Sequence, residues 1–191
     1  AGTVMLGLTP AATAADSNGR FAIQGAGKML CQAFVEERTK GSPLYYAAMG
    51  WVQGYLTSYN QFNEGVFDIL SWQNVKVLGA SLDSHCKKNP TQPLYQVIRQ
   101  MTRAYRPQAI PEQSLLVEAG SSEKRILVYD VVVKRVQQRL RREGLLEQVP
   151  NGRFDSETQL ALRLFQERQG LKPNGELDES TLYLLLGKSE N

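Results

Sequence analysis

The sequence predicts an all-α chain built as two helical domains. Three observations predict it. Between residues 20 and 106, four stretches fit helices, two of them after clear opening residues. Two cysteines, Cys31 and Cys86, fall in the first and third of these stretches. Near the C-terminus a phrase occurs twice among further helical segments. Its copies are Asn151-Gly152-Arg153-Phe154-Asp155-Ser156-Glu157-Thr158 and Asn174-Gly175-Glu176-Leu177-Asp178-Glu179-Ser180-Thr181.

Residues 1–15 read as processing rather than structure. Val4-Met5-Leu6-Gly7-Leu8 is a short apolar run broken by Pro10, and Ala12-Thr13-Ala14 is an A-x-A pattern. This resembles the end of a secretory signal peptide whose basic start is missing; a tail without structure is the alternative. On the signal reading the chain is exported and works in the periplasm. No other run is long and apolar enough to span a membrane.

Residues 16–106 read as a four-helix domain. A first helix fits Gly27 to Thr39. Ser42-Pro43 supplies an N-cap and a first-turn proline for a second, from Leu44 to about Tyr59. A third fits Trp72 to Lys87, and a fourth runs from Leu94 to about Tyr105. Ala47, Gly50 and Gly54 share a face of the second helix, where small residues would allow close helix approach. In an exported chain the even cysteine pair reads as a disulfide closing 55 residues. Residues 107–125 read as a linker, from Pro107, Pro111, Gly120 and Ser121-Ser122. Leu115-Leu116-Val117 within it is apolar enough to form a short strand or dock on a neighbour.

Residues 126–188 read as a three-helix domain. One helix fits Val131 to Glu143. Each copy of the phrase then precedes a further helix, with the copies 23 residues apart, from Asn151 to Asn174. Asn-Gly tolerates positive φ. Phe154 or Leu177 can drop into a core, and Asp155 or Asp178 stands where an N-cap belongs. Gly144 and Gly170 lie where helix ends favour the left-handed conformation.

This stretch resembles the peptidoglycan-binding domain of the small three-helix type found in cell-wall hydrolases. The matching residues run Val136-Gln137-Gln138-Arg139-Leu140, Gly144-Leu145, Asn151-Gly152-Arg153-Phe154 and Thr158. They continue through Leu164-Phe165-Gln166, Gly170-Leu171, Asn174-Gly175, Leu177 and Thr181. Asn stands at 151 and 174 where the family often has Asp, which keeps the turn chemistry and removes a charge. The resemblance implies a partner, peptidoglycan. The N-terminal domain is more loosely similar to small periplasmic helical proteins with one disulfide. Its segments are Gly25 to Cys31, Gly50 to Thr57 and Leu82 to Pro90. That group includes HdeA-like acid-stress chaperones and immunity proteins of secreted amidases, which implies another periplasmic protein as a partner.

Composition narrows the chemistry. The net charge of +3 is small for a nucleic-acid binder and favours an acidic polymer. One histidine in the chain argues against a zinc hydrolase, which needs several ligands and a base. His85 beside Cys86 points elsewhere on a helix, and pairing would consume the thiol. Glu36, Glu37, Glu64 and Asp68 are present, but no spacing selects a catalytic pair. The chain reads as a binder with no catalytic residues, no cofactor and no metal. An immunity or chaperone-like factor localised by its wall module is one alternative, and an accessory subunit of a wall hydrolase is another.

The expected binding residues are Asn151, Gly152, Arg153, Phe154, Asp155 and Gln166. Turn backbone and Arg153 would meet stem-peptide carboxylates. The same residues could instead build the turn and core. Arg135, Arg139 and Arg142, with Lys134 and Arg141 nearby, could meet carboxylates or phosphates. They could equally form a solvated face balanced by Glu143 and Glu147.

Overall fold

The computed structural model describes residues 15–120 and 125–187. The signal-peptide reading of the N-terminus therefore lies almost wholly outside the described residues. Within them are seven α-helices and one two-stranded sheet. The helices are α1 Cys31–Lys40, α2 Pro43–Phe62, α3 Val75–Lys88, α4 Leu94–Tyr105, α5 Asp130–Arg142, α6 Ser156–Arg168 and α7 Glu179–Leu186. The strands are β1 Leu116–Gly120 and β2 Arg125–Tyr129.

The N-terminal helices start and stop where local chemistry dictates. Ser42 caps α2 by accepting from Tyr45 N, with Pro43 in the first turn. Helix α4 buries Leu94, Val97, Ile98 and Thr102, at i, i+3, i+4 and i+8. Two expected starts move. The first helix begins at Cys31, because Gly25–Lys28 forms a 3₁₀ turn under the Trp51 ring. A Cβ on Gly27 would lie 2.4 Å from Trp51 Cζ2, so only glycine fits there. The third helix begins at Val75, capped by Asn74. Trp72 instead packs against the second core, and its buried Nε1 has no acceptor among the described residues. Burying so large a ring stabilises enough to outweigh one orphan donor.

The small-residue face of α2 is a correction. Ala47, Gly50 and Gly54 are exposed, and a Cβ on either glycine would meet nothing within 4 Å. The opposite face, through Ala48, Met49, Val52 and Leu56, enters the core. Cys31 and Cys86 are bonded across α1 and α3, both fully buried.

The described residues between the helical groups are structured. Ile110 is buried and pairs with Asp68, donating to its carbonyl at 2.8 Å. Strands β1 and β2 pair antiparallel with Val117 opposite Val128 and Ala119 opposite Ile126. That face turns Ala119 and Val128 into a second core with Val132, Val133, Val136, Leu140, Ala161, Leu162 and Phe165. The other face leaves Leu116 and Leu127 exposed. The two helical groups are also tied directly. Tyr129 Oη donates to Asp68 Oδ2 at 3.2 Å, and Asn74 Nδ2 donates to Glu179 Oε1 at 3.0 Å. Arg135 donates to the Gln108 and Ala109 carbonyls at 2.5 and 3.0 Å.

Candidate functional site

The doubled phrase folds as two copies of one device. In each, a fully buried glutamine on the preceding helix clips the turn. Gln137 on α5 donates from Nε2 to Asn151 Oδ1 at 3.1 Å, the Arg153 carbonyl at 2.8 Å and Thr158 Oγ1 at 2.9 Å. Its Oε1 accepts from the N–H groups of Asn151 and Gly152, both at 2.9 Å. Gln166 on α6 repeats this one turn later. It donates to Asn174 Oδ1, the Glu176 carbonyl and Thr181 Oγ1 at 2.9, 3.0 and 3.0 Å. It accepts from Gly175 N at 2.8 Å. A primary amide has the two donors and the acceptor that such a turn lacks.

The rest of the phrase completes the turn. Asn151 Oδ1 accepts from Arg153 N at 2.8 Å, and Asn174 Oδ1 from Glu176 N at 2.9 Å. Asp155 caps α6 by accepting from Thr158 N at 2.9 Å, and Asp178 caps α7 by accepting from Thr181 N at 2.8 Å. Gly152 takes φ +79°, and a Cβ there would lie 3.0 Å from the Asp130 carbonyl oxygen. The turn is thus seated on the start of α5, and glycine is required by both conformation and space.

Six residues are expected at the site, and the structure places them as follows. Asn151, Gly152 and the Arg153 carbonyl gather around Gln137, while Phe154 is half-buried against the second core. Asp155 is joined by Gln148, which donates to it at 3.0 Å. Gln166 is not brought to the first turn; it serves the second. The turn N–H groups at 151, 152 and 175, expected to face a ligand, are bonded within the module, as are those at 153 and 176. The physical reason is that a buried amide beneath each turn and an Asn side chain within it take up those donors. Arg153 differs: its side chain is exposed, and among the described residues only its backbone is engaged. Gln137 is among the residues that carry the resemblance but not among those expected to bind, and Gln148 is in neither set.

Burial raises the Asp155 carboxyl, but the Thr158 hydroxyl and N–H and the Gln148 amide more than offset this and hold it below its ordinary value. A depressed folded pKa contributes stability above the unfolded value, and that contribution is lost as pH falls through the folded value. Stability of the parent should therefore fall on acidification through the carboxylate range. Asp155→Asn should flatten that part of the profile, as followed by thermal melting. An unchanged profile would show that the cap is insensitive to its charge.

Among the described residues no three His, Cys, Asp or Glu side chains converge on a metal-sized position, and no helix is long and apolar enough to cross a membrane. His85 Nε2 lies 2.7 Å from Gln92 Oε1.

Three helices joined by two glutamine-clipped turns define a small helical module. Residues 130–185 match the family model described as "Putative peptidoglycan binding domain". The match starts with α5 and ends within α7, so it covers this module and leaves out the N-terminal helices. The resemblance read from the doubled phrase thus holds for this region. No curated protein and no solved structure matches the chain.

Proposed function

We propose that this is a non-catalytic, exported protein that docks on peptidoglycan through its C-terminal module and works in the periplasm. The observation that carries the reading is the coincidence of the family match with the clipped three-helix unit. The buried Cys31–Cys86 bond supports a compartment outside the cytoplasm. The surface beside the first turn, with Arg153 projecting from it, is the proposed contact. The clip sets that surface rigidly, which lowers the ordering cost of binding. The second copy carries Glu176 at the equivalent place, so the two turns would not bind alike.

Purified parent and Arg153→Ala proteins would be cosedimented with sacculi across a salt range. Arg153→Ala should melt like the parent, as exposed changes usually do. Its binding should weaken by about tenfold, the loss of one charge-assisted contact. The supernatant should hold no released muropeptides. Failure of the parent to cosediment sinks wall binding, and release abolished by a carboxylate substitution overturns the non-catalytic reading. Equal binding by Arg153→Ala puts the polymer elsewhere on the module.

One observation favours a second role beside docking. Helix α2 shows solvent Leu44 and Tyr46 together with Ala47, Gly50 and Gly54. An exposed, partly apolar helix surface of this kind suits a protein partner, as expected of an immunity or chaperone-like factor or a hydrolase subunit.

A further inference from the structure

Helix α5 turns Val132, Val133, Val136, Gln137 and Leu140 inward. Beside that face run Lys134, Gln138, Arg141 and Arg142, at i, i+4, i+7 and i+8. Two grooves use these residues. One is the cleft of about 410 Å³ between the helical groups, where Trp72 and Arg135 meet Gln138 and Arg142. The other is bounded by Lys134, Arg141, Val149 and Pro150, again with Gln138 and Arg142. Gln138 and Arg142 line both, so the two grooves lie side by side along α5, and the second reaches Val149 and Pro150, just ahead of the first turn. Among the described residues no carboxylate lines either one.

Cations near a helix C-terminus are ordinary, since they meet the negative end of the dipole. That accounts for Arg139, which is also paired with Glu143 at 3.0 Å. It does not account for Lys134, in the second turn of α5, where the dipole gives a cation nothing. Arg135 is spent on the Gln108 and Ala109 carbonyls. Lys134 and Arg141 are exposed, and neither has an ion-pair partner among the described residues. Exposed Lys134 and Arg141, with no acid among the described residues that line the second groove, make that groove complementary to an anion.

We propose that this groove holds an anionic stretch of the wall polymer, with carboxylate or phosphate oxygens meeting Lys134 and Arg141. The inference rests on the wall-binding reading and adds to it the charge of the ligand and its path along α5.

The full chain and its Lys134→Gln/Arg141→Gln variant would be cosedimented with intact sacculi and with sacculi stripped of phosphate polymers by hydrofluoric acid. At low salt the variant should bind about tenfold more weakly or worse, with melting unchanged, and the difference should shrink at high salt. Parent binding that survives stripping assigns the contact to stem-peptide carboxylates. Binding that falls on stripping assigns it to phosphates. If the variant binds like the parent at low salt while Arg153→Ala does not, the groove is empty and the wall reading stands. If the parent binds neither preparation, both fall together.

Discussion

Replacing Gln137 with leucine is expected to destabilise the C-terminal module by about 3–5 kcal/mol. Leucine is close to glutamine in size, so the effect would not come from a cavity. It would come from the groups left behind. The N–H groups of Asn151 and Gly152 lose their acceptor, and the Arg153 carbonyl and Thr158 hydroxyl lose a donor. Gly152 and Thr158 are buried, so water cannot replace the lost partner there. Each orphan costs about 1–3 kcal/mol. Gln138→Leu, one residue along and exposed, is the control and should change stability by no more than about 0.5 kcal/mol. Urea unfolding followed by circular dichroism measures both. A loss below about 1 kcal/mol at Gln137 would mean that water reaches the turn and that the clip is incidental.

The same residue shows what the sequence discloses and what it hides. Asn-Gly, Asp and Thr can be read as a turn and cap because their chemistry is local: each bonds within a few residues. Gln137 acts 14 residues ahead of Asn151, whereas Gln166 acts only 8 ahead of Asn174, so the repeat does not align the two glutamines. A signal does exist. Val133, Val136, Gln137 and Leu140 lie at i, i+3, i+4 and i+7, which puts an amide on an apolar stripe. A polar group there must find partners, and the nearest unsatisfied backbone is the turn.

Helix ends were legible for the same local reason. Gly144 and Gly170 take positive φ at the expected helix ends, and Gly41 ends α1 in the same way. The hairpin was only half legible. Leu115-Leu116-Val117 suggests a strand, but Arg125-Ile126-Leu127-Val128-Tyr129 is apolar throughout its centre, so its sequence does not choose between helix and strand. Pairing with β1 and the burial of Val128 make that choice. The exposed glycines of α2 mislead in the opposite way. Small residues permit close packing but do not cause it, and the apolar face of Ala48, Val52 and Leu56 decides which way the helix turns.

Removing the disulfide is expected to cost the N-terminal helices about 4 kcal/mol. The bond closes a loop of 55 residues and ties the first residue of α1 to the last turn of α3. In the chain-entropy view most of its effect lies in the unfolded ensemble, which it forbids from expanding. Among the described residues an ion pair also links these helices: Asp83 on α3 meets Arg38 on α1 at 3.0 Å, and Lys87 of α3 joins it at 2.8 Å. Arg38 and Lys87 are partly or largely exposed, so these pairs contribute little beside a covalent tie. A Cys31→Ala/Cys86→Ala variant should therefore unfold at clearly lower urea than the parent. Single alanine variants should fall close to the double, because either one breaks the same bond and the sites are not independent. The Arg38→Ala variant should move the midpoint much less. If the double variant loses less than about 1 kcal/mol, the reduced chain already holds α1 against α3 without the bond. The buried packing of Phe34, Leu78 and Leu82 would then be the stronger constraint.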